Sequence, residues 1–182
     1  MALIYENKVP LVYRAAFISK IKEVATRLNI NPNWLMAIIN WESAGSFNPA
    51  ITNSIGATGL IQFMPRTAIG LGTTTAALRQ MTAVQQLEYV YKYFQPYKLK
   101  IKGYVDMYLA TIFPLALGKS NDWVIHSSTL SANIFTSYNP AFDNFGNHDG
   151  NTTVAEIKAK MMQNIPADWL HEFANDIVEK KK

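Results

Sequence analysis

The apolar residues of this chain recur at spacings of three and four, and no stretch alternates apolar with polar residues long enough to form a strand. That periodicity buries one face of a helix, so the pattern confines the chain to helices packed on helices. Phe17, Ile21, Val24 and Leu28 predict a helix over residues 11–28. Asn31 as N-cap and Pro32 at the first helical position open the next. Its apolar stripe is Trp34, Leu35, Ile38 and Ile39, and Gly45 offers a stop.

Residues 46–58 are rich in Asn, Ser, Thr, Gly and Pro and read as a loop, followed by a short helical piece over 59–64 that Pro65 ends. Thr73, Thr74 and Thr75 read as a surface connection. A helix over residues 82–95 carries Val84, Leu87, Tyr91 and Phe94 on one side, and another over 103–113 is halted by Pro114. Residues 137–152 are polar and irregular, Thr153 with Glu156 forms a capping box for a helix to about residue 162, and a last helix runs from near Pro166 into Lys180–Lys182. The expectation is one all-α domain over 1–182, with a C-terminal helical part over 137–182.

Composition supports a packed domain: 49% of the 182 residues are apolar and 16% charged. No apolar run approaches the roughly 18–20 residues needed to cross a bilayer. The absence of cysteine removes disulfides and thiolate nucleophiles. The net charge of +4 favours a polyanionic partner, although the terminal lysines read equally as a solvated end. The opening residues meet Glu6 and Pro10 before any apolar stretch develops, so no secretory leader is expected.

Glu42 is the residue most informative for chemistry. It follows Ile38 by four positions and Leu35 by seven, which puts its carboxyl on an apolar helix face beside Trp41. Either the side chain reaches solvent at the helix end, or burial raises its pKa. The second is what a general acid needs if it is to hold a proton at neutral pH.

The flanking sequence, WESAGSFNPAITNSIGATGLIQFMP over residues 41–65, resembles the two linked motifs of lytic transglycosylases with a goose-lysozyme-like catalytic domain. Glu42-Ser43 matches the Glu-Ser pair at the end of a helix. Gly56, Ala57, Gly59, Leu60, Ile61, Gln62, Met64 and Pro65 match the second motif in order. The resemblance implies a lysozyme-like all-α domain with a substrate cleft, Glu42 as the catalytic acid, and Gln62 and Met64 lining the cleft. Gly56 and Gly59 suit tight turns and a close approach to a sugar ring, and Gln62 can both donate and accept. Met64 reads equally as core packing.

Later segments match more loosely. The family's Ala-Tyr-Asn-Ala-Gly segment has its counterpart at 110–116, where Phe113 supplies an aromatic wall without a hydroxyl and Pro114 replaces the asparagine. That aromatic–proline pair is similar to transglycosylase domains carried by bacteriophages. Tyr138 is the match to a late tyrosine beside the acid, or a loop tyrosine on the surface. Asn147, Asp149, Gly150 and Glu156 stand where a calcium loop has its third, fifth, sixth and twelfth residues, but Phe145 occupies the first. Asp143 could substitute only with an altered loop, and a structural turn is the favoured reading, with no metal expected.

His126, His148 and His171 are isolated, and the sequence has no HExxH, GxSxG or phosphate-loop motif and no aromatic–basic stripe for nucleic acid. Between Glu42 and Glu88 no acid occurs, and nothing singles out Asp106, Asp122 or Asp143 as a second carboxylate. The resemblance implies a single-acid mechanism on peptidoglycan glycan strands, with a 1,6-anhydro product and no cofactor. Alternatives are a water-using muramidase on the same scaffold and an inactive wall-binding or virion module. The substrate lies in the periplasm or cell wall. Delivery by a phage particle, phage-mediated release, or a leader already removed each fits.

Overall fold

The computed structural model describes residues 2–176 and is helical, with no strand among the described residues and only isolated bridges at Thr52–Thr58, Thr58–Phe63 and Val124–Thr153. The expected tail Lys180–Lys182 lies outside the described residues. The chain forms two compact units, residues 1–99 and 100–182.

In the first unit, α1 (Arg14–Leu28) packs against α2 (Pro32–Glu42) and α5 (Ala83–Phe94), with α3 (Pro65–Gly70) and α4 (Thr75–Gln80) between. The α1 stripe is fully buried at Phe17, Ile21, Val24 and Leu28. Asn31 Oδ1 accepts the Asn33 N–H at 2.9 Å, the cap that starts α2. Arg27 holds α1 to α5 by two 2.8 Å bonds to Glu88 and lies 3.6 Å over the Tyr91 ring.

Three sequence expectations fail here in whole or in part, for physical reasons. Residues 59–62 form turns and not a helix, and Pro65 begins α3 where it was expected to end one. Thr74 caps α4 by accepting the Ala77 N–H, so the expected surface connection starts a helix. The buried face of α5 is Ala83, Gln86, Leu87, Val90 and Phe94, because Tyr91 turns to Arg27 and Gln86 turns inward.

Gln86 is the reason for the turns. It has no exposed surface, its Oε1 accepts the Leu60 N–H at 2.7 Å, and its Nε2 donates to Pro49 O at 2.9 Å and Leu78 O at 3.1 Å. One amide thus satisfies three backbone groups from two segments and α4. The side chain fits only because residue 59 is glycine: φ is +88°, and a Cβ there would collide with the Gln86 amide.

In the second unit, α6 (Tyr104–Ile112) packs on α9 (Val154–Gln163) and on the 3-10 segment Ala167–Asp176, which replaces the last α-helix expected there. The irregular region expected from 137 is partly helical, as α7 (Ala132–Tyr138) and α8 (Pro140–Asp143). Asp176 caps α6, its carboxylate accepting the N–H groups of Tyr104 at 2.7 Å and Val105 at 3.1 Å. Thr153 and Glu156 form the capping box of α9 as read from the sequence.

Gly59→Ala should lower stability by about 2–4 kcal/mol, from the left-handed backbone and the displaced Gln86. Urea denaturation measures it, and an unchanged midpoint contradicts the clasp.

Candidate active site

Glu42 is the last residue of α2, and its surroundings follow from what the chain does next. Ser43, with no exposed surface, donates from Oγ to Ile39 O at 2.6 Å and accepts the Phe47 N–H at 3.0 Å. The chain can therefore turn sharply, with Ala44, Gly45 and Phe47 all at positive φ. Phe47 is buried edge-on against Phe17, with ring centroids 5.9 Å apart, and Tyr13 donates to its carbonyl at 2.9 Å. Ser43 is thus a structural pin behind the acid.

Residues 1–99 contain no aspartate and four glutamates. Glu6 accepts the Leu3 N–H, Glu23 pairs with Lys20 and Arg27, and Glu88 is held at a pKa of about 2, chiefly by its hydrogen bond from Arg27. Glu42 is different. Its residue is neither fully buried nor exposed, no hydrogen bond or ion pair holds its carboxyl among the described residues, and desolvation pushes its pKa up to about 7. The carboxyl is surrounded by protein yet reachable from solvent.

The second motif folds as a small knot. Thr58 and Phe63 exchange backbone hydrogen bonds at 3.0 and 2.8 Å, and the Gly59 N–H donates to Ile51 O at 2.8 Å. Gln62 sits in the left-handed region, with φ 51°, and its Nε2 donates to Gly59 O at 3.2 Å and Ile51 O at 3.4 Å. Its amide nitrogen is turned to the loop's own carbonyls. Gly56 has φ +83°. The approach that Gly59 permits is that of Gln86, where a sugar ring was expected. Met64 is 44% exposed, which removes the core-packing reading of this residue.

Tyr93, on α5, was not singled out from the sequence. Its ring meets Phe63 edge-on at 6.1 Å and Tyr97 at 6.2 Å. Burial raises its phenol pKa first, followed by Tyr97 and the charge of Glu42. Tyr93 therefore neighbours both the acid and the residue after Gln62. Its signal was the i, i+3 and i, i+7 spacing to Val90 and Gln86, which a stripe drawn through Tyr91 obscured.

The remaining expected residues lie in the second unit. Phe113 follows α6 and packs on Phe135 at 5.6 Å and Trp123 at 6.4 Å. Tyr138 ends α7 and is 78% exposed. Of the distant acids, Asp106 accepts the Lys102 N–H, Asp122 is exposed and Asp143 is buried. Among the described residues no three His, Cys, Asp or Glu side chains form a metal-holding group.

Raising the Glu42 pKa from 4.5 to about 7 means the folded state favours the proton. Stability is full below pH 4.5 and falls as pH rises to 7, by on the order of 3 kcal/mol. Glu42→Gln should therefore gain stability relative to wild type between pH 4.5 and 8, measured by urea denaturation. An equal difference at both pH values contradicts the desolvation.

Residues 19–104 match the family model described as transglycosylase SLT domain. A protein of Enterobacteria phage PRD1 named transglycosylase is 40% identical over 52 residues, which cover 29% of this chain and 19% of that relative. The chain thus spans about a fifth of the length of the curated relative it matches. No solved structure matches the chain significantly. Among the described residues no helix is long and apolar enough to cross a membrane. Residues 19–104 of this all-α chain are thus similar to the transglycosylase SLT domain, the family its Glu42–Pro65 segment resembles.

Proposed function

We propose that this chain is a peptidoglycan lytic transglycosylase in which Glu42 acts first as general acid and then as general base. The observation that carries the reading is the Glu42 carboxyl, desolvated, without a cation among the described residues, and with a pKa near 7. A group poised there holds a proton for the leaving oxygen and, once ionised, can take one back. In the proposed reaction Glu42 protonates the oxygen linking N-acetylmuramic acid to N-acetylglucosamine. The substrate's acetamido group stabilises the cationic carbon. The Glu42 carboxylate then accepts the proton of the muramyl 6-hydroxyl, whose oxygen closes the 1,6-anhydro ring. An internal nucleophile removes the need to position water.

Gln62, Met64, Phe113 and Tyr138 are assigned to substrate contact, and Ser43, Gly56 and Gly59 to holding the backbone around the acid. The whole of 1–182 is taken as one functional domain acting on periplasmic or cell-wall glycan, as a phage-borne or phage-released protein. No residue supplies an evident second carboxylate in the first unit, since Glu6, Glu23 and Glu88 are engaged elsewhere. That favours the single-acid route over a muramidase that activates water.

On purified sacculi, kcat/KM should fall about tenfold per pH unit above 7, as Glu42 loses its proton. Glu42→Gln should retain glycan binding and lower turnover by about 10²–10⁴-fold. Mass analysis of the wild-type digest should show anhydro-muramyl ends. Reducing ends would establish hydrolysis instead, and unchanged turnover in Glu42→Gln would reject the acid.

A further inference from the structure

At the junction of α8 with the loop to α9 lies a carboxylate oxygen that no group among the described residues satisfies. Asp143 ends α8 and is 9% exposed. Its Oδ2 accepts the Gly150 N–H at 3.3 Å, so the carboxylate faces the loop, while Oδ1 is buried without a hydrogen-bond partner. Leaving such an oxygen unmatched is unfavourable, and a buried polar atom of this kind calls for a donor or a cation.

The spacing of the loop explains which. Counted from Phe145, the calcium-loop pattern lacks its first ligand. The folded chain counts differently, because Asp143 reaches past two extra residues to Gly150, the glycine at the sixth position. Gly150 has φ +82°, the sharp turn that position requires. Asn147 Oδ1 accepts the Asp149 N–H at 3.0 Å and Asp149 Oδ1 accepts the Asn151 N–H at 2.8 Å, which curls the third and fifth positions onto the same loop.

Glu156 closes the other side. Its Oε1 accepts the Asn147 N–H at 3.1 Å, and a Cβ on residue 146 would collide with it. The capping box with Thr153 therefore folds this carboxylate back over the loop, so capping and ligation are compatible roles. The loop's end is anchored, the Ile125 N–H donating to Thr152 O at 2.8 Å and Val154 N–H to Trp123 O at 3.0 Å.

We propose that residues 143–156 bind a calcium-class divalent cation, with Asp143 in the first-ligand place through a two-residue insertion. Asp149, Glu156, the Asn147 amide oxygen and the Asn151 carbonyl complete the donor set. The described residues do not bring three carboxylates together in advance, so the site belongs to the weak class, about 10⁻⁴–10⁻³ M. Cation binding would tie α8 to α9 and does not depend on the activity proposed above.

The test is thermal melting of the full chain after chelation, with calcium alone as the probe. Calcium at ten times its dissociation constant should raise Tm by about 3–6 °C, with a smaller shift from magnesium. Asp149→Asn and Asp143→Asn, each compared with its own calcium-free Tm, should both abolish the shift. No shift at about 10 mM calcium, or a full wild-type shift in both variants, overturns the assignment.

Discussion

An uncompensated carboxyl at the end of α2 is the constraint around which the first unit is arranged. Elsewhere in residues 1–99 each glutamate has a partner: a backbone N–H for Glu6, lysine and arginine for Glu23 and Glu88. Glu42 has protein on most sides and no cation among the described residues, and desolvation carries its pKa to about 7. Burial without compensation weakens a fold, so such a group persists only where surrounding structure holds it in place.

That structure comes from two polar clasps. Ser43 bonds backward to Ile39 and forward to Phe47, which ends the helix at the acid and turns the chain away. Gln86 bonds Leu60, Pro49 and Leu78, which fixes the loop carrying Gln62. Tyr93 meets Phe63 from this loop and senses the charge of Glu42, so the loop and the helix end share one aromatic neighbour. The left-handed backbones at Ala44, Phe47 and Gln62 cluster on these same two segments. Local strain concentrated beside a perturbed acid is the pattern expected of a functional site.

What could be read in the sequence was what is locally encoded. Asn31-Pro32 opens α2 and Thr153 with Glu156 opens α9, because a cap is made within four residues. The apolar face of Glu42 followed from its spacing to Ile38 and Leu35. Residues 59–62 were misread as helix because the group that holds their turns, Gln86, lies 26 residues away from Leu60. Asp143 reads from spacing only as a substitute that needs an altered loop, because counting along the chain does not reveal that its carboxylate meets the Gly150 N–H. Phe113 and Tyr138 rest on resemblance alone: in the second unit Phe113 packs on Phe135, and Tyr138 is largely exposed.

The central claim is that the Glu42 carboxyl holds its proton close to neutrality. Titration of the folded protein with ¹³C-labelled glutamate side chains, followed by NMR and assigned through Glu42→Gln, measures this directly. The account requires one glutamate resonance, missing from the variant, with a midpoint near 7. A midpoint at the ordinary 4.5 would mean that water reaches the carboxyl freely, and the account of the site would be wrong.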